Sequence, residues 1–417
     1  MASKRLSDGS SLANSFKLSR GATSVAKPQA PTIGTATAVT GNSATVAYTA
    51  AVLGAAASSF TATSNPGSIT GTGSSPITVS GLTGETNYTF TVTATNVNGT
   101  SVASSASNQI TTPVDVISVD YLVLAGAGAG GASSSGGGGA GGGAGGLRST
   151  VTATGGGGSL ETALSLTPGT SYTVTVGAGG AGVVDENGNS GNNSIFSTIT
   201  STGGGGGADW RNAVRSGLSG GSGGGSVNAT GGARTVGQGY IGGNGSVSLT
   251  DYPSSGGGGG GAGGAGADNK TGTYAANTLR GSAGGLGLSV SITGSSVSYA
   301  GGGGSGAHTS NGAAVGGGFG GGGTSSNLSG AGGGGIGNSS NGGDGTANLG
   351  GGGGGGGGNG SNPTNGRGGN GGSGVVVLKY PDDRTITIGA GLTGSTASPS
   401  GGFKVTTITA GTGNVSW

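Results

Sequence analysis

Runs of consecutive glycine set the strongest limit on what this chain can fold into. They recur at Gly136–Gly139, Gly155–Gly158, Gly203–Gly207, Gly256–Gly261, Gly301–Gly304, Gly320–Gly323 and Gly350–Gly358. Ala is almost the only residue that breaks into them, and apolar, strand-like pieces lie before and after. The sequence holds 113 glycines and 10 prolines in 417 residues with no G-X-Y period. By composition alone that reads as low-complexity disorder. Charge argues otherwise: only 7% of the residues are charged, whereas disorder usually accompanies high net charge. With 30% hydrophobic and 4% aromatic residues, an ordinary apolar core cannot run through most of the length. Order must come mainly from backbone hydrogen bonding.

A flexible linker needs glycine only for softness and has no use for framing strands. Extended threefold helices of polyproline II geometry offer an alternative, because they make no internal hydrogen bonds and point their N–H and C=O groups sideways. Without Cβ atoms, several could pack at backbone contact distance. At ~3.1 Å per residue, Gly350–Gly358 would span roughly 28 Å. Ordering a glycine costs about 0.5–1 kcal/mol more than ordering an alanine, and a hydrogen bond returns about 0.5–1.5 kcal/mol net. One isolated run would stay disordered, so the reading requires many runs bonded together.

Four regions follow along the chain. Residues 1–27 form a polar arm with Lys4, Arg5, Lys17, Arg20 and Lys27, read as a solvated tail or as a peptide attaching to a neighbouring protein. Residues 28–113 alternate with period two, as in Ala44-Thr45-Val46-Ala47-Tyr48-Thr49 and Tyr88-Thr89-Phe90-Thr91-Val92-Thr93-Ala94, with turn chemistry at Asn65-Pro66-Gly67. Several such strands predict a β-sandwich. Residues 114–381 are the glycine-rich region, opened by Ser118–Ala125 and closed by Gly374–Pro381, both apolar strands. Its other strand-like pieces include Ser171–Val176, Ile195–Thr200 and Leu288–Ile292. Residues 382–417 return to strands at Thr385–Ile388 and Phe403–Thr409.

The second region resembles a fibronectin type III domain, most sharply at Leu82, Tyr88, Val92, Ala94, Asn96 and Gly99. The resemblance implies a buried Tyr88 ring with its hydroxyl bonded to nearby backbone. Tyr48 stands where that family usually carries a core Trp. The third region resembles a glycine-rich module of phage tail and fibre proteins, through Tyr121–Gly126, Tyr172–Gly180, Phe196–Thr200 followed by Gly203–Gly207, and Gly371–Pro381. More loosely, it is similar to tail-tip adhesins of some T-even-type phages. The fold expectation is therefore all-β: a fibronectin type III sandwich, then a glycine-rich domain of packed polyglycine II-like helices framed by short strands.

Catalytic motifs are poorly supported. Gly126-Ala127-Gly128-Ala129-Gly130-Gly131 fits G-x-G-x-x-G, but Ala132-Ser133-Ser134-Ser135 and more glycine cannot supply the helix a dinucleotide site requires. No run ends in Gly-Lys-Ser or Gly-Lys-Thr. With a single histidine, His308, and no cysteine, His triads, thiolates and Cys-ligated metals drop out. Asp185-Glu186-Asn187-Gly188-Asn189 lacks the later Glu of an EF-hand and reads as a solvated turn. No enzyme activity, cofactor or metal is expected. A net charge of +2 gives no reason to expect nucleic acid, and no stretch approaches the ~20 apolar residues of a membrane span.

The scattered large side chains of the glycine region, Trp210, Arg211, Tyr240, Tyr252, Tyr274, His308 and Phe319, are the candidate receptor contacts, since aromatics beside polar groups suit sugar or protein surfaces. The alternative is that they staple the edges of the glycine array, with His308 an exposed loop histidine. The N-terminus lacks a secretory signal's apolar run, as expected of a virion protein released by lysis. These resemblances imply a bacteriophage tail fibre that adheres to the host surface, attached to other virion proteins by its arm, and either trimeric as tail fibres commonly are or a monomer at the tip. Its host contact would be surface polysaccharide or an outer-membrane protein. A head-decorating fibre or tail spacer with a purely structural role is the alternative. A cellular glycine-rich surface protein is a third reading, disfavoured by the missing signal.

Overall fold

The computed structural model describes residues 26–133, 137–211, 215–245, 256–269, 281–309, 340–359 and 366–417. The chain divides after Val116 into two compact units.

The first unit contains β1 (Thr32–Thr40), β2 (Ser43–Thr49), β3 (Ser59–Asn65), β4 (Thr70–Thr72), β5 (Ile77–Ser80), β6 (Asn87–Asn96), β7 (Gly99–Thr100) and β8 (Ile110–Thr111). One sheet has the order β1-β2-β5 and the other β4-β3-β6-β7, with β8 also on β6. Period-two alternation explains the shared core. Tyr88, Phe90, Val92 and Ala94 of β6 are buried, and the first three meet Val46, Ala62, Ile77, Val79 and Leu82. The Tyr88 hydroxyl accepts a hydrogen bond from the Thr83 amide at 3.0 Å.

A three-residue serine repeat completes this unit. Ser101, Ser104 and Ser107 each donate their amide to a carbonyl of β6, on Ala94, Val92 and Phe90. Each hydroxyl oxygen accepts the amide of the same β6 residue, at 2.9–3.0 Å. Asn108 continues the line by bonding both backbone groups of Ala36 on β1. An edge that would otherwise invite pairing with another chain is thereby occupied. Removing one hydroxyl orphans a sheltered amide, so Ser104→Ala is expected to destabilise this unit by about 1–2 kcal/mol and to speed exchange of the Val92 amide. Ser105→Ala, at an exposed position, serves as the neutral control.

The second unit contains β9 (Ile117–Leu124), β10 (Leu147–Ser149), β11 (Leu164–Leu166), β12 (Tyr172–Thr175), β13 (Ser194–Phe196), β14 (Ile199–Ser201), β15 (Leu288–Val290), β16 (Val297–Tyr299), β17 (His308–Thr309), β18 (Gly358–Asn359), β19 (Val375–Pro381), β20 (Thr387–Ile388), β21 (Leu392–Thr396) and β22 (Phe403–Ser416). Ten of these form one sheet whose main path runs β10-β9-β19-β22-β12-β13-β14. β9 and β19 pair antiparallel, with Val123 opposite Val376 and Tyr121 opposite Leu378. Both of their faces are buried. Tyr121, Val123, Val376, Leu378 and Tyr380 pack with Phe196 and Ile408, while Leu122, Leu124, Val375 and Val377 pack with Val290, Ile292 and Tyr299. The region expected as a separate segment, 382–417, belongs to this unit, because β22 lies between β19 and β12.

Packed polyglycine II-like helices, the form expected for the glycine-rich domain, are not found, and that expectation is corrected. Among the described residues the structure is almost all β, 1% helical, without a helix of seven or more residues, and is organised by a nearly closed, barrel-like sheet. The physical reason lies in the framing strands. They bury apolar side chains on two faces and pair with one another, so they set the architecture that the glycine runs were expected to set alone. The glycine segments run extended between them, tied by backbone hydrogen bonds. Amides of Gly126, Ala129 and Ala132 bond Asn192, Asn189 and Glu186 carbonyls, those of Ala127, Gly130 and Ser133 bond Gly372, Gly369 and Gly366, and those of Gly128 and Gly131 bond Gly143 and Ala140. One segment thus serves three neighbours in turn, which satisfies buried backbone groups without a ladder.

The gap in the nearly closed sheet, between β14 and β10, is bridged by a backbone bond and by side chains. The Gly146 amide bonds the Thr202 carbonyl at 2.9 Å. Gln238 accepts the Thr202 amide at 2.8 Å and donates to the Thr200 carbonyl at 3.4 Å. Arg148 on β10 also donates to that carbonyl, at 3.3 Å, and grips Glu161 with two bonds of 2.6 and 2.8 Å. Glu161 in turn accepts the hydroxyl of the buried Tyr121 at 2.5 Å. Burial first, then the Glu161 carboxylate, pushes that hydroxyl above its ordinary pKa of 10.0.

Candidate functional site

The corner bearing Trp210 and Arg211 is built by the end of a glycine run. Amides of Gly204, Gly205, Gly207 and Ala208 bond the carbonyls of Gly126, Ser222, Ala129 and Gly225, which holds Gly203–Ala208 on all sides. At Asp209 the partner changes from a backbone carbonyl to the Asn187 side chain, 2.7 Å away. Asn and Asp end other rows in the same way: Asn193 accepts the Gly203 amide, Asn370 the Gly182 amide and Asp344 the Asn370 amide. A short side-chain carbonyl replaces a missing neighbour at the margin of the network.

Beyond that margin the large side chains gather. Trp210 is half-buried against Ala140, Ala208 and Val227. The Arg215 guanidinium lies 4.8 Å from the centre of its ring, within the range of a cation–π contact. Arg211 pairs with Asp185 at 2.9 Å, and both are half-exposed. The Asp209 carboxyl is wholly buried, with no side-chain donor bonded to either oxygen. Burial pushes its pKa up. The amides of Arg211 and Trp210 and the Arg211 charge oppose that push, while Asp185 adds to it.

Tyr240 forms a second, smaller grouping. Arg234 stacks 5.3 Å from its ring centre and donates to the carbonyls of Gly156 and Gly239 at 3.2 and 3.4 Å. The segment 223–227 reaches both groupings, since the Gly223 amide bonds the Tyr240 carbonyl and Val227 packs under Trp210.

Of the residues singled out in the sequence, the structure brings Trp210 and Arg211 together and places Tyr240 beside Arg234. His308 is corrected. It is 2% exposed and lies on β17, paired with β18, rather than in an exposed loop. Tyr252, Tyr274 and Phe319 lie outside the described residues, as do nearly all of the arm 1–27 and the run Gly320–Gly323. Arg215, Arg234 and the buried Asp209 were missed. No periodicity marks them, because their neighbours are supplied by distant segments.

Among the described residues no group of three or more His, Cys, Asp or Glu is placed to hold a metal ion. No helix among them is long and apolar enough to cross a membrane. An open cleft of about 610 Å³ in the first unit, between Lys27, Pro28, Gln29, Thr100, Ser101 and Val102, has Lys27 as its one charged wall. No curated protein matches the chain. A family model described as a glycine-rich domain matches residues 100–381, ending where β19 ends and spanning more than half of the sequence. The chain belongs to this glycine-rich domain family.

Proposed function

We propose that the chain is a non-enzymatic structural component of a bacteriophage virion, carried on a tail fibre or related appendage, that contacts the host cell surface. Support comes first from the resemblances of residues 28–113 to fibronectin type III domains and of 114–381 to the glycine-rich module of phage fibres. The observation that carries the contact role is the corner at Trp210. A backbone-bonded network, stiff because its amides are shared among neighbours in three directions, ends there in an aromatic ring with Arg211 and Arg215 beside it. Rigid presentation of an amphipathic ring beside charge suits recognition of a sugar or protein surface. Surface polysaccharide or an outer-membrane protein is the host partner in this reading, and the arm 1–27 attaches the chain, as a trimer, to other virion proteins.

One observation favours a purely structural role as tail spacer or head fibre: the Trp210 ring also packs against Ala140, Ala208 and Val227, as an edge staple would. The two readings separate by adsorption. In particles carrying the chain, Trp210→Ala with Tyr240→Ala is expected to slow attachment to host cells at least tenfold while particle yield and composition hold. Unchanged attachment by intact particles overturns the adhesin reading and leaves the spacer. Labelling the chain at the capsid rather than the tail would overturn the tail-fibre placement and leave the head fibre.

A further inference from the structure

Asp209 is an odd residue to find where it is. Its side chain is wholly buried at the point where a glycine run leaves the network, and its carboxyl is faced by the backbone amides of Trp210 and Arg211 with no side-chain donor bonded to either oxygen. Burial outweighs those two amides, so the carboxylate form is costly here and neutralising it removes most of that cost. The charged groups facing it are few. Arg211 and Asp185 are paired with each other at 2.9 Å, which leaves the guanidinium only partly available to offset Asp209. Glu186 is exposed on the same turn as Asp185, and Arg215 lies over the Trp210 ring. Asn187, Ala140 and Gly225, which pack or bond along this stretch, bring no titratable group.

We propose that Asp209 is a proton-operated latch for the corner carrying Trp210 and Arg211. With the carboxyl neutral, the corner stays seated on Ala140, Ala208 and Val227. With it ionised, the charge seeks water and the corner opens locally while the network behind it holds. The inference does not depend on what the corner binds. Its direction follows from the folded state, which holds the Asp209 proton more tightly than an unfolded chain does because burial raises the carboxyl above its ordinary 3.8. Closure is therefore favoured at low pH and is lost as pH rises through the folded-state value.

Hydrogen exchange of the full chain between about pH 4 and pH 7, with rates divided by those of an unfolded peptide at each pH, tests this. Protection of the Trp210 and Arg211 amides is expected to fall as pH rises, approaching the one-proton limit of about tenfold per pH unit. Asp209→Asn is expected to keep these amides protected at every pH. Wild-type protection that does not change with pH overturns the proposal, and so does an Asp209→Asn chain that keeps the wild-type dependence. Should that variant fail to fold, Trp417→Phe leaves Trp210 as the sole indole. Its emission is expected to move to longer wavelength as pH rises over the same range, and an unmoved spectrum overturns the latch.

Discussion

Replacing Gly130 with alanine is expected to lower the stability of the second unit by about 3 kcal/mol or more, with a falling unfolding midpoint and an unchanged denaturant slope. A Cβ built on Gly130 would sit 2.1 Å from the Gly354 carbonyl oxygen and 2.4 Å from its carbon. Neither atom belongs to a side chain that could rotate away. To admit the methyl group, two extended segments must separate by about 1 Å, at a cost typical of overpacked cores. That movement strains the bonds from the Gly353 and Gly356 amides to Gly128 and Gly131. Gly169→Ala is the control. With φ +77 and no atom within 4 Å of its Cβ position, it carries only the left-handed backbone penalty of about 1 kcal/mol. Equal losses from the two substitutions, measured by chemical denaturation, would refute the claim that backbone contact sets the glycine requirement.

The second large effect is expected at the seam of the barrel-like sheet. Glu161→Ala removes the carboxylate that Arg148 grips with two bonds and that accepts the Tyr121 hydroxyl. Tyr121 is 1% exposed, so its hydroxyl loses a partner where water is scarce. The side chains of Arg148 and Glu161 keep 26% and 20% of their surface, which discounts the loss of the ion pair. A cost of about 2 kcal/mol follows, and Arg148→Ala should cost a similar amount because it leaves the part-buried Glu161 carboxylate without its cation and takes one of two donors from the Thr200 carbonyl. The same cluster makes the unit alkali-sensitive. The folded state keeps the Tyr121 proton more tightly than the unfolded chain does, so stability falls as pH rises above about 10, by at most ~1.4 kcal/mol per unit for one group. Thermal unfolding at pH 8 and at pH 10.5 would show a larger drop in the wild type than in Tyr121→Phe. Equal drops would place the alkaline sensitivity elsewhere, for example at Tyr299, whose hydroxyl burial also raises.

Strands were the legible part of this molecule. Alternation in Tyr88–Ala94, the apolar pieces at Tyr121–Leu124 and Val375–Tyr380, and Tyr172–Val174 are strands in the structure at nearly the bounds the sequence suggests. In each, a period of two or a short apolar run is a local property that a reader of the chain can count. The partner of each strand is not local. β9 meets β19 across some 250 residues, and nothing in either segment names the other. The same gap hid the candidate site. Trp210 and Arg211 stood out as large residues amid glycine. Asp185, Arg215 and the shelter around Asp209 became visible only when separate segments met. His308 shows the reverse error: a lone histidine among Gly, Ser and Ala looks exposed, yet its neighbours on the parallel β18 are backbone, and burial there requires no apolar sequence signal.

By itself the sequence determined that the glycine segments draw their order from the backbone, since charge and apolar mass are both low there. It also determined where the framing strands lie. The tertiary structure decided what form the glycine segments take and which runs bond which. The runs are chemically alike, so their amides and carbonyls carry no address. Strands of the barrel-like sheet such as β9, β14 and β19 anchor segments that lead into or out of described runs, and the pattern of hydrogen bonds follows from where those segments are held.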